Sequence, residues 1–198
     1  MRPEVHMRQM FWFQRWRLLI GSEGAQIVEL AVSLPLLALL FVGTYDVGQA
    51  FNVKQKLVAA TREGARFAAN QSTMDLNRVT STPASIAAVR DVIDSYLLAN
   101  NVNDCGLNAA TAGSPAGWSW TFTATGCPGG NFTLTINRGY TFTTTSTNAG
   151  NNVTVTVEAT QVVMSYPYQW QFNQVVRIVG GNIAVSPIPT SAVVQNLN

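Results

Sequence analysis

Apolar residues fall along this chain in three different rhythms. In the first, from Leu30 to Tyr45, no charge interrupts the sequence, and Leu34-Pro-Leu-Leu-Ala-Leu-Leu-Phe-Val is apolar all round. As a helix, the segment from Ala25 to Val47 rises roughly 34 Å, enough to cross the hydrocarbon core of a bilayer. A buried helix in a soluble domain of this size keeps a polar face, which is missing here. Pro35 removes a backbone hydrogen bond to Ala31, a loss that membrane helices tolerate. The pattern predicts a membrane-spanning helix. A soluble core helix and a cleaved secretory signal ending at Gly48-Gln-Ala50 are the competing readings. Against the second, the helical pattern runs on past Ala50.

The second rhythm has a period near 3.6. Val47, Ala50, Phe51, Leu57, Val58, Ala65 and Ala68 fall mostly on one stripe, with Lys54, Arg62, Glu63 and Arg66 elsewhere. This predicts that the first helix continues outside the membrane to Ala69. Arg62 and Arg66 share a face, and Glu63 can reach Arg66 at i+3. That face is either solvated or contacts a partner, such as lipid headgroups or another membrane protein. Gly64 lowers helix propensity, and a small residue there permits close packing against the C-terminal domain. Residues 70–82 read as a linker, and Pro83 as the first residue of a second helix with Thr82 as its cap. Ile86, Val89, Ile93 and Leu97 form that helix's apolar stripe, which ends at Asn100-Asn101. The Gly, Asn, Ala and Pro content from Cys105 to Gly117 predicts a loop.

The third rhythm has period two. Trp118-Ser-Trp-Thr-Phe-Thr, Phe132-Thr-Leu-Thr-Ile and Val153-Thr-Val-Thr-Val alternate apolar with small polar residues, with turn clusters at Pro128–Asn131 and Asn148–Asn152. This predicts a half-buried antiparallel meander, Thr outward and the large residues against the helix. Tyr166-Pro-Tyr-Gln-Trp-Gln-Phe172 reads as packing, an interface loop or a ligand-stacking platform. Asn182 to Val194 reads as an edge strand broken by Pro187 and Pro189. The expected fold class is α+β: a long N-terminal transmembrane helix continuing outside the membrane, a second amphipathic helix and a small antiparallel sheet. The expected divisions are a basic leader over 1–24, the helix and its extension over 25–69, and an extracytoplasmic α+β domain over 70–198.

Composition narrows the function. Charged residues make up 11% of the 198, against roughly a quarter in a typical soluble domain. After Leu98 the charged side chains are Asp104, Arg138, Glu158 and Arg177, and Thr, Asn, Ser and Gly carry the polarity. The net charge of +2, with no basic run interleaved with aromatics, does not suit nucleic acid. His6 is the one histidine, so no Ser-His or Cys-His pair exists in the body of the chain, and no phosphate-cradling loop appears. No enzyme, cofactor, metal or small-molecule substrate is expected. Cys105 and Cys127 are too few for a zinc site. In an oxidising compartment they form a disulfide; otherwise they are two separate buried thiols. Asn70, Asn131 and Asn152 open Asn-x-Ser/Thr tripeptides, which chance supplies in so Asn- and Thr-rich a chain.

Basic residues on the two sides of the span nearly balance: Arg2, Arg8, Arg15 and Arg17 before it, Lys54, Lys56, Arg62 and Arg66 after it. A cytoplasmic N-terminus is expected instead from the cysteine pair and the charge-poor C-terminal half. Ahead of the span lies Ser22-Glu-Gly24-Ala25-Gln-Ile-Val-Glu29-Leu30. A basic leader, a Gly, four residues and a Glu opening an apolar helix form a prepilin-type pattern. Cleavage after Gly24 frees an ammonium on Ala25, and Glu29 lies one turn further along the same face. Pairing within the chain or with a neighbour offsets the cost of that carboxylate near hydrocarbon. The structural alternative makes Glu29 a headgroup marker and Gly24 a flexible joint.

From Gly24 to Ala69 the chain resembles the N-terminal region of TadE-like proteins, the minor pseudopilins of tight-adherence (Flp-type) pilus systems. The resemblance rests on Val28-Glu-Leu-Ala31, Leu34-Pro-Leu-Leu37, Asp46-x-Gly48 and Ala60-Thr-Arg-Glu-Gly-Ala-Arg66. In the last run Thr61 is inserted into the family's alanine-arginine junction. The resemblance implies cleavage by a prepilin peptidase, anchoring in the bacterial inner membrane, contacts with other pilins or pseudopilins, and a supporting role in pilus assembly without catalytic residues. A binding module unrelated to pili, single-pass or secreted, reading a ligand through the aromatic tail, is the alternative.

Overall fold

The computed structural model describes residues 22–77, 81–148, 151–178, 180–181 and 185–196. Most of the expected leader therefore lies outside the described residues, as does the start of the expected edge strand at Asn182. In chain order the elements are α1 (Ser22–Ala69), α2 (Ala84–Ala99), a 3₁₀ turn (Leu107–Ala109), β1 (Ser119–Ala124), β2 (Phe132–Asn148), β3 (Asn151–Tyr168), α3 (Asn173–Ile178) and β4 (Ser186–Gln195). The four strands make one antiparallel sheet in the order β1-β2-β3-β4. The class is α+β, with the long apolar helix, second helix and meander that the periodicities predict. Contacts divide the chain into two compact units, one ending at Asp46 and the other beginning at Val47.

In the first unit the apolar part of α1 is bare. Val32, Leu36, Leu37, Leu40 and Phe41 are each more than 60% exposed, and the most apolar window has a mean hydropathy of 2.2. A water-facing helix of this composition would leave a large apolar surface uncovered, whereas lipid covers it. This is the single membrane-spanning helix among the described residues. Its hydroxyls are satisfied internally, Ser33 Oγ donating to Leu30 O and Thr44 Oγ1 to Leu40 O, as a low-dielectric setting demands.

The second unit has one core. Trp120, Phe122, Leu134, Ile136, Val162 and Met164 alternate onto the inner face of the sheet and join Leu57, Ile86, Val89, Ile93 and Leu97 of the helices. On the outer face the Thr121 and Thr135 hydroxyls meet at 2.9 Å. The stripe expected on the extension of α1 needs correction. Val47 is 45% and Phe51 60% exposed, while Leu57, Ala60, Thr61, Gly64, Ala65 and Ala68 are buried. Apart from Leu57, small residues rather than the larger apolar ones set the contact face.

The ends of α2 are fixed by residues the local pattern does not show. Thr82 is not the cap; Asp75, ten residues upstream, accepts from Ser85 N at 2.8 Å and from Ser85 Oγ at 2.9 Å. The described part of the expected linker is thus a packed turn, with Leu76 buried. At the other end Asn101 adopts φ 54°, Val102 N donates to Leu97 O and Asn101 N to Leu98 O. This left-handed termination satisfies the last carbonyls, and Lys56 Nζ adds a bond to Asn100 O at 2.8 Å.

The sheet departs most from expectation in its long hairpin. β1 pairs with β2 only as far as Asn137, and β4 with β3 only as far as Ala159. Beyond them β2 and β3 continue together as a two-stranded ribbon. An extra residue in β2 between Asn137 and Tyr140 shifts the register where β3 steps from Gln161 to Ala159, a β-bulge. Along β3 the large residues that enter the core are Val162, Met164, Tyr166 and Tyr168, all even-numbered, although Ala159 and Pro167 are buried as well, whereas the valines of the ribbon are odd-numbered. Val153 (51% exposed) and Val155 (45%) therefore do not join the core, contrary to the half-buried strand expected there. Tyr166 and Tyr168 extend β3 and are buried, which removes them from a ligand-stacking platform. β4 is the expected edge strand, but Pro187 and Pro189 do not break it: it runs unbroken from Ser186 to Gln195, with the two prolines opposite Pro167 and Ser165.

Candidate functional site

Gly24, Ala25 and Glu29 stand in the first turns of α1, and the Ala25 and Glu29 side chains are exposed one helical turn apart. The spacing brings them onto one face. Pro35 lies within the same helix.

In the second unit, the run Ala60–Arg66 sorts its residues by face. Gly64 packs on α2, where an added Cβ would lie 2.6 Å from both Cγ1 and Cδ1 of Ile93. Thr61, the inserted residue, is fully buried, and its Oγ1 donates to Leu57 O. That hydroxyl has one proton, so the Thr190 hydroxyl, 2.8 Å away, is the donor of the second bond. The insertion thereby ties the helix to β4. Arg62, Glu63 and Arg66 are exposed on the other side. With Phe51, Lys54 and Tyr96 they line a groove of about 670 Å³. The expected Glu63–Arg66 pair is not made; among the described residues the ion pair is Arg90–Asp91 at 2.7 Å. The groove thus presents three cations and one carboxylate around an apolar floor.

Cys105 and Cys127 are joined in a disulfide, with Cα atoms 4.6 Å apart. The bond closes the loop that carries the 3₁₀ turn and leads into β2. Beside it sits an acid pair. Asp94 of α2 is buried, and its carboxyl is pushed up to about 6 by that burial, by a hydrogen bond to Asp104 and by the charges of Asp104 and Asp91, against a bond from the Asn108 backbone. Asp104 accepts from the N–H groups of Gly106 and Leu107, each at 3.1 Å, which fixes its carboxylate beside Asp94. Burial also lifts the neighbouring Tyr166 phenol, with a smaller contribution from Asp104.

A second buried charge lies at the bulge. Arg138 is fully buried, its Nη2 donating to Gln71 O at 2.8 Å, and burial lowers its pKa while Asp75 opposes the shift. Burial works to raise Asp75, but the backbone and hydroxyl bonds from Ser85 outweigh it and hold the carboxyl below its ordinary value. Arg90 completes the polar frame, bonding Ala110 O and lying 5.6 Å over the Phe122 ring. Among the described residues no group of three or more His, Cys, Asp or Glu side chains could hold a metal ion.

The membrane helix with its Gly24–Glu29 spacing and the Gly64-centred contact occupy one continuous stretch of sequence. Residues 24–66 match the family model of TadE-like proteins. That segment is similar to a TadE-like domain. No curated protein and no solved structure matches the chain. The TadE-like segment takes in Gly24, Ala25, Glu29, the span, Thr61 and Gly64, and ends at Arg66. The disulfide, acid pair and sheet lie outside it. Thr61, Asp75, Asp94 and Arg138 are the structural residues that sequence reading misses. Each acts through a partner far along the chain or through burial.

Proposed function

We propose that this chain is a membrane-anchored pseudopilin that supports assembly of a tight-adherence (Flp-type) pilus by helix packing and protein–protein contacts, without catalysis. The observation that carries the reading is the TadE-like match over an exposed apolar helix that opens with Gly24 and Glu29. Residues 1–24 act as a leader removed by a prepilin peptidase between Gly24 and Ala25. Residues 25–69 form the anchor and its extension, and 70–198 the extracytoplasmic domain. The new Ala25 ammonium pairs with Glu29 of its own chain or of an adjacent pilin, so an unpaired carboxylate is not left near hydrocarbon. The N-terminus lies in the cytoplasm and the C-terminal domain outside the inner membrane, where a disulfide persists.

The test is Glu29→Ala in the intact system. Membrane insertion should be unchanged, because the apolar span is untouched, while piliation falls. Full piliation in that variant counts against an assembly role for Glu29.

A further inference from the structure

The β2–β3 ribbon past the bulge has a composition that a free, water-facing hairpin does not need. From Tyr140 to Val157 it contains no Lys, Arg, Asp or Glu. Cross-strand partners share a face, so Phe142 with Val157, Thr144 with Val155, and Ser146 with Val153 form one side. Thr143 with Thr156 and Thr145 with Thr154 form the other. The odd-numbered valines lie on the face of β3 opposite to Val162 and Met164, outside the domain's own core. Natural edge strands are commonly blunted by Lys, Pro or an inward charge. β4 follows that rule with Pro187 and Pro189, but the ribbon does not.

The direction of the free backbone groups can be read from β4. Asn196 N donates to Glu158 O at 3.1 Å, so Glu158 points its carbonyl toward the side on which β4 lies. Alternate residues point the same way, which turns the N–H and C=O groups of Thr154 and Thr156 to that side. Among the described residues no strand lies beside them. Val153, Val155 and Val157 share one face along this edge. On the opposite edge, the residues of β2 on that same face are Phe142, Thr144 and Ser146, so the β3 edge is the more apolar of the two.

We propose that the Val153–Val157 edge of β3 pairs antiparallel with the same edge of a second copy of this chain, centred on Val155. That centring sets Val155 opposite Val155 and Val153 opposite Val157, continuing the valine face across the junction. Thr154 and Thr156 exchange backbone hydrogen bonds with Thr156 and Thr154 of the second copy. The contact is isologous and closes on itself. A shift of one residue sets valine against threonine and loses the apolar face. The absence of charge selects a like partner: two copies meet without repulsion, whereas a charged partner finds no counter-ion on the ribbon.

The test uses the full chain in detergent. Val155→Cys places two thiols at a non-hydrogen-bonded pair, where Cα atoms are about 4.5 Å apart and a disulfide can close. Mild oxidation should give a covalent dimer, while Thr145→Cys, on the other edge of the ribbon, should cross-link at least about tenfold less. Retention of the Cys105–Cys127 bond checks that the fold is intact. Val155→Lys and Val155→Glu should each be monomeric in light scattering, because like charges face each other, and their mixture should associate. Monomeric Val155→Cys, equal or stronger cross-linking at Thr145→Cys, capture of a different protein in membranes, or unchanged association of Val155→Lys would overturn the proposal.

Discussion

Gly64→Ala sets two effects of opposite sign against each other at the contact between α1 and α2. Alanine is favoured over glycine in a helix by about 1 kcal/mol. Against this, the new Cβ would lie 2.6 Å from Cγ1 and Cδ1 of Ile93, whereas carbons rest about 3.5–4.0 Å apart. Ile93 is fully buried and Val89 flanks the same spot, so the clash needs a shift of roughly 1 Å with little room for it. Overpacking of this kind costs about 1–3 kcal/mol. The net expectation is a loss on the order of 1 kcal/mol, where propensity alone gives a gain.

Ile93→Ala removes both clashing atoms and by itself should cost about 2–5 kcal/mol. In that background Gly64→Ala should turn stabilising by about 1 kcal/mol. The cycle's interaction energy is then roughly 2 kcal/mol, within the range seen for residues in contact. Urea unfolding of the full chain in detergent, followed by far-UV circular dichroism, measures all four corners. If Gly64→Ala raises the midpoint equally in both backgrounds, the close helix contact is not what requires glycine.

Two further outcomes concern buried carboxyls. Asp94 keeps its proton to about pH 6 when folded but releases it near 3.8 when unfolded, so stability falls as pH rises between those values and the deficit persists above them. Asp94→Asn should flatten that window and stabilise the protein at pH 7.5 by at most about 3 kcal/mol; unfolding midpoints at pH 4.5 and 7.5 that move in parallel with wild type would contradict this. Asp75 is shifted the other way, so its contribution is present above pH 3.8 and lost as pH falls through its lower folded value. Asp75→Ala should cost about 0.5–2 kcal/mol at pH 7, the range for a lost helix cap. The gap should close in acid, and a gap independent of pH would remove the charge from the explanation.

Local periodicity carries much of this fold. The apolar run of α1, the Ile86–Leu97 stripe and the Trp120–Phe122 and Leu134–Ile136 alternations all lie in the structure as their spacing predicts, because each depends only on which face a residue occupies. What periodicity cannot express is a partner distant in sequence. Thr61 reads as an insertion in a surface run, yet it is fixed by Thr190 on the last strand. Thr82 has the right chemistry for a cap, but Asp75 reaches the Ser85 amide from a turn. Val153–Val157 has a correct strand pattern and the wrong environment. A bulge before Tyr140 and the short neighbours β1 and β4 leave that pattern without a core to enter. Asp94 sits on a charged helix face by sequence, and only burial and the approach of Asp104 from the Cys105 loop raise its carboxyl.

The Gly24–Ala25 peptide bond is where the processed pilin-type helix is most directly checked. N-terminal sequencing of the mature protein purified from membranes of cells that carry the full assembly system reads it. The expected result is a chain beginning at Ala25, and loss of that processing with Gly24→Ala or on removal of the prepilin peptidase. A mature chain beginning at Phe51 would make the apolar segment a secretory signal, and an intact Met1 an ordinary anchor. Either result would contradict a processed pilin-type helix.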